Sequence, residues 1–140
     1  MYFCTANLLS MRINELTALS PIDGRYRAKT SALSPFLSEW GLMKHRLEVE
    51  VEYFLALTEV GEVGLESISE DQQSALRDVY EQFSEADAEK IKQIEQVTNH
   101  DVKAVEYFLK ERMQALGLKE SVEFIHFGLT SQDVNNTAIP

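Results

Sequence analysis

A helical periodicity constrains this chain more than anything else in it. Leu47, Val51, Phe54 and Leu55 recur at i, i+4, i+7 and i+8, the spacing of one face of an α-helix. Ser34 can cap such a helix and Pro35 suits its first position, so a long helix is expected from about Ser34 until Gly61 and Gly64 end it. Lys44, Arg46, Glu48, Glu50 and Glu52 are expected on its solvent face. Ser69-Glu70-Asp71-Gln72 has the spacing of a capping box, with Leu76, Val79, Tyr80 and Phe83 as the apolar side of the helix it opens. Ser84 with Asp87 starts another, lined by Ile91, Ile94 and Val97. Asp101 opens a third, in which Val102, Val105, Leu109 and Met113 share a face until Gly117 stops it. Ser121 to Phe127 is apolar enough to be buried, and Gly128-Leu129-Thr130-Ser131-Gln132-Asp133 reads as a loop capping one more helix. That last helix has little apolar face of its own, so its partners are expected outside this sequence. No alternating strand pattern of useful length occurs, and the class is all-α.

Charge separates the possible partners. Of the net charge of -10, residues 59–95 carry -8, with 11 acidic against 3 basic side chains. Such a surface repels a phosphate backbone, so neither nucleic acid nor an anionic membrane is an expected partner. No stretch approaches the ~20 apolar residues of a membrane span. Cys4 is the single cysteine, which precludes an intrachain disulfide and suits a reducing, cytoplasmic setting. Met1 to Ser10 lacks the positive start and apolar core of a secretory signal, and Met11 could be a second start site. Residues 1–15 are therefore expected to be a flexible extension and 16–140 a helical domain.

Three polar stretches could carry chemistry. Thr98-Asn99-His100-Asp101-Val102-Lys103 places an amide, an imidazole and a carboxylate at the mouth of a helix, where free N–H groups and the positive dipole end suit an anion. The same residues also suit a cap that binds nothing. In Asp23-Gly24-Arg25-Tyr26, Arg25 offers a planar fork of donors for phosphate or carboxylate, and Gly24 permits close backbone approach. A plain turn with a solvated Arg25 and a packed Tyr26 is the alternative. Thr130-Ser131 forms either a carboxylate cradle or a simple cap with Asp133. His45 is expected at the surface and His126, flanked by Phe124, Ile125 and Phe127, in a buried structural role. Three scattered histidines and one cysteine assemble no metal site.

Taken together, Ser20 to Tyr26, Thr98 to Leu109 and Glu123 to Thr137 resemble, in order and separation, the N-terminal domain of the adenylosuccinate lyase family, within the fumarase and aspartase superfamily. The resemblance runs from about Leu16 onward. It implies the N-terminal helical domain of that superfamily without its long-helix bundle, and cofactor-free cleavage of fumarate from adenylosuccinate and from the succinyl-carboxamide ribotide by a homotetramer. By the same resemblance, Arg25 and Tyr26 hold the nucleotide phosphate, Asn99, His100 and Asp101 contact substrate, and Thr130 and Ser131 bind a succinyl carboxylate. The family's general acid, a histidine, and its base, a serine, are expected after Pro140, so this piece alone is expected to be inactive. An argininosuccinate-type lyase and a non-catalytic helical interaction module are the alternatives.

Overall fold

The computed structural model describes residues 13–61 and 64–139. The leader read from Met1 to Ser10, with Cys4, and the second start at Met11 lie outside the described residues. The chain divides into two compact units, Met1–Pro35 and Phe36–Pro140.

In the first unit the expected turns are present. Gly24 N–H donates to Ser20 O at 3.0 Å and Tyr26 N–H to Pro21 O at 2.9 Å. Helix α1 (Arg27–Thr30) and a 3-10 turn (Ser31–Leu33) follow. Gly24 is the one buried residue among those described in this unit. A Cβ there would lie 3.0 Å from Glu15 O and 3.3 Å from both Ala18 Cβ and Ser20 O, so a bare Cα is what lets the turn close.

The expected long helix is in fact two. Helix α2 (Ser34–Leu37) ends at Ser38, whose backbone is extended at ψ 165° and whose side chain accepts from Gly41 N–H at 3.1 Å, so Ser38 rather than Ser34 caps α3 (Glu39–Val60). Gly61 closes α3 in the left-handed region at φ 67°. Both expected capping boxes form, Ser69/Gln72 on α4 (Glu70–Glu81) and Ser84/Asp87 on α5 (Glu85–Thr98). Helix α6 (Asp101–Ala115), a 3-10 segment (Lys119–Phe124) and α7 (Ser131–Ala138) complete the order, and no strand occurs among the described residues. The all-α expectation stands.

Helix α3 is the hub of the second unit and packs on α4, α5, α6 and α7. Its Leu47, Val51 and Phe54 meet Leu76, Ile91, Val105, Phe108, Leu109 and Met113 in one core. Each such side chain stabilises the fold by about 1.5–3 kcal/mol relative to exposure. Two aromatic contacts, Trp40 to Phe83 at 5.5 Å and Phe83 edge-on to Phe108 at 6.3 Å, join α3 to α6 through the α4–α5 connection.

Several expectations need correction. Arg46 and Glu50 are not on the solvent face; they are 6% and 0% exposed, because they lie beside Leu47 and Val51 on the buried stripe and each finds polar partners there. His45 is half-buried, stacked on Phe36 at 6.2 Å and 3.1 Å from Glu48. Val97, expected in the stripe of α5, is 87% exposed in the last turn, beyond the reach of the core. Helix α7 has its partner within this chain after all, burying Val134 and Ala138 against α3. Of Ser121 to Phe127, Val122 and Ile125 are buried while Phe127 is exposed, since the 3-10 turn presents alternate sides to the core.

Candidate functional site

At the α5–α6 junction, Asn99 ends α5 in the left-handed region (φ 52°), a conformation that Asn tolerates better than most residues, and its N–H donates to Glu95 O at 2.7 Å. The extended backbone of His100 then makes it, rather than Asn99 or Asp101, the cap of α6, with Nδ1 accepting from Lys103 N–H at 3.2 Å. An imidazole that accepts at Nδ1 carries its proton on Nε2, which leaves Nε2 as the donor of the half-exposed His100 side chain. Its Nδ1 lies 3.7 Å from Asp101 Oδ1, too far for a competing hydrogen bond.

Asp101 is the first residue of α6 and receives Arg46 Nη2 at 2.7 Å. Partial burial pushes its carboxyl pKa up, but the Val102 N–H and the Arg46 guanidinium outweigh that and hold it below the usual carboxylate range. Nε of the same guanidinium donates to Asn135 Oδ1 on α7 at 2.9 Å. One buried cation thus joins the start of α6 to the body of α7.

The start of α7 is built differently. Thr130 caps it in a capping box, with Asp133 Oδ2 accepting from Thr130 N–H at 2.8 Å and from Thr130 Oγ1 at 2.7 Å. The hydrogen bonds from Thr130 hold the Asp133 carboxyl below its ordinary pKa. The hydroxyl hydrogen of Thr130 is therefore committed within the cap. Ser131, the first residue of α7, has no side-chain hydrogen bond among the described residues and is the member of the pair able to donate to a ligand.

The loop leading into α7 is anchored on α3. Glu50 Oε2 accepts from His126 N–H at 3.1 Å, and Glu50 Oε1 lies 2.5 Å from His126 Nδ1, while Tyr53 Oη donates to Phe127 O at 3.0 Å. His126 is held in the left-handed region at φ 61°. It is largely covered, as expected, but by a carboxylate rather than by the flanking aromatics alone. Burial raises the Glu50 pKa, and nearby Glu106 adds to the rise, although the bonds to His126 offset part of it.

In the first unit Arg25 and Tyr26 are both exposed. The Arg25 guanidinium lies 4.7 Å from the centroid of the Tyr26 ring and Lys29 Nζ lies 5.9 Å from it, so this turn gathers two cations around one aromatic. Tyr26 is therefore not packed on a core as the plain-turn alternative has it, while the turn itself and the solvent-exposed Arg25 match that alternative.

The sequence profile of a family described as Lyase matches residues 24–140, and the chain belongs to that family. It is 56% identical over 135 residues to adenylosuccinate lyase of Dictyostelium discoideum, covering 94% of this chain and 29% of that protein. It is 48% identical over 130 residues to adenylosuccinate lyase of Vibrio cholerae, covering 91% of this chain and 28% of that protein. With adenylosuccinate lyase of Escherichia coli K12 the identity is 47% over 128 residues, 90% of this chain and 28% of that protein. The chain spans less than a third of the length of these curated relatives.

Sequence reasoning missed Arg46, Glu50 and Tyr53. The signal was present but read the wrong way: positions 46, 50 and 53 follow helical spacing immediately beside the apolar stripe at 47, 51 and 54.

Proposed function

We propose that this chain forms the N-terminal, substrate-binding part of an adenylosuccinate lyase, a cytoplasmic homotetramer that eliminates fumarate from adenylosuccinate, giving AMP, and from the succinyl-carboxamide ribotide of purine synthesis. The 56% identity to the Dictyostelium discoideum enzyme over nearly the whole chain carries this reading. Residues 16–140 constitute its helical domain, preceded by an extension. Among the described residues no helix is long and apolar enough to cross a membrane.

The chemistry asks for what these residues offer. A base removes a proton from the carbon next to a carboxylate, the electron pair moves into that carboxylate, and the C–N bond then breaks as an acid protonates the leaving nitrogen. Donors aimed at the charged carboxylate lower the barrier. Ser131 and the first N–H groups of α7 supply such donors, with Thr130 holding the cap that presents them. His100 donates from Nε2 at the mouth of α6, beside Asn99 and Asp101. Arg25 and Tyr26 grip the phosphate, and phosphate binding far from the bond supplies orientation. The acid and base come from the remaining length of the enzyme, so the 140-residue chain alone is inactive. No cofactor takes part.

Absorbance at ultraviolet wavelengths reports the cleavage directly. The enzyme carrying this chain is expected to release fumarate from adenylosuccinate, with Arg25→Ala raising KM by roughly tenfold or more through loss of the phosphate contact. Cleavage of argininosuccinate with no dependence on Arg25, or fumarate release by the isolated 140 residues, would contradict the assignment.

A further inference from the structure

We propose that Arg46 is a positioning residue of this site, setting the start of α6 against α7 and neutralising Asp101 so that an anionic substrate can approach it. The proposal rests on the lyase reading above. It begins from a cost: a charged side chain 7% exposed has given up most of its water, and such a group is stable only beside acceptors that replace it.

Both recorded acceptors are distant in sequence, Asp101 55 residues away and Asn135 89 residues away. The guanidinium is planar, and Nε and Nη2 lie on one edge of the fork, so the two acceptors are held at a separation fixed by a rigid group. That separation is the one between the first residue of α6 and the second turn of α7. Asn99, His100 and Asp101 ride on one of these helix starts, Thr130 and Ser131 on the other. A stability role alone does not call for a cation here, because a well-packed apolar side chain in such a place is often as stable or more so.

The charge matters as much as the geometry. Asp101 keeps its carboxylate ionised, and a lone negative charge at this helix mouth would repel a substrate bearing phosphate and two carboxylates. Paired with Arg46 at 2.7 Å, it presents a polar oxygen without net charge. Lysine at position 46 would preserve the charge but not the two-pronged edge, since an ammonium is a compact point donor.

The test is steady-state kinetics on the full-length enzyme, with wild type compared with Arg46→Lys and Arg46→Met at a temperature well below each variant's melting midpoint. Arg46→Lys is expected to lower kcat/KM roughly tenfold or more by misplacing the two helix starts. Arg46→Met is expected to raise KM further, by exposing the Asp101 charge, and Arg46→Met with Asp101→Asn is expected to recover part of that rise. A merely structural role would lower the melting midpoint and leave KM in place. Should Arg46→Met fail to fold, Arg46→Lys decides alone: kcat and KM both within twofold of wild type overturn the proposal. Wild-type enzyme that releases no fumarate from adenylosuccinate sinks the lyase reading and this assignment with it. Active wild type with an unaffected Arg46→Lys sinks this assignment only.

Discussion

The starts of α6 and α7 both open on a polar cap, yet they are held in opposite ways. At α7 the bonds of the capping box run between Thr130 and Asp133, three residues apart. At α6 the cap is a single imidazole bond, and the first residue is fastened by Arg46, 55 positions away. A local cap survives almost any change in its surroundings, because its donors and acceptors travel together. A cap fastened from a distance reports on whether the rest of the unit is in place. The second kind can couple one part of a site to another, and the first cannot.

The largest expected effect breaks the long-range side of this contrast. Arg46→Ala removes two hydrogen bonds and the packed stem of a buried side chain, and should lower the unfolding free energy by about 3 kcal/mol. Denaturant titration measures it; a loss below about 1 kcal/mol would mean that α6 starts as independently as α7 does. Hydrogen exchange should quicken at the first turn of α6 and in α7 together.

Thr130→Ala probes the local side and should cost about 1 kcal/mol, the usual value of a lost cap. Its faster exchange should be confined to the first turn of α7. Spread of that change to residues 100–103 would show that the two starts are not separate after all.

The smallest effect is in pH dependence, where half-exposed Asp101 is screened by solvent. Its folded pKa lies below the ordinary 3.8, so the stability it contributes is fully present above that value and lost as pH falls through the lower, folded one. Glu50 has the reverse sign: its folded pKa is raised above 4.5, so its contribution is present below 4.5 and lost as pH rises through the folded value. Unfolding midpoints measured from pH 3 to 8 should therefore show Asp101→Asn flattening the acid side of the curve and Glu50→Gln flattening the side above pH 4.5. Identical profiles for wild type and both variants would remove the electrostatic part of the contrast.

The features legible in the sequence were those whose bonds are short in sequence. Ser69 with Gln72, Ser84 with Asp87 and Thr130 with Asp133 could be read as capping boxes because each closes within one turn. The apolar faces of α3 and α6 were legible for the same reason, since helical spacing alone brings Leu47, Val51 and Phe54, or Val105, Leu109 and Met113, to one side. The break at Ser38 was not, because Pro35 and Ser34 also form a sound helix start and only the surrounding fold chose between two adjacent caps. Arg46 and Glu50 were assigned to water by their charge. Nothing local reveals that Asp101, Asn135 and His126 come to meet them.

The amino-acid sequence by itself determined that the chain is helical, where most of its helices begin, and which polar stretches could receive an anion. Those properties depend on periodicity and on caps, which involve neighbours a few bonds away. Only the tertiary structure decided that Arg46 of α3 meets Asp101 and Asn135 and that Glu50 of the same helix meets His126. The physical reason is that a charged side chain is stable in the interior only beside its partner. Whether a partner arrives is settled by how helices pack, not by what stands next to it in the chain.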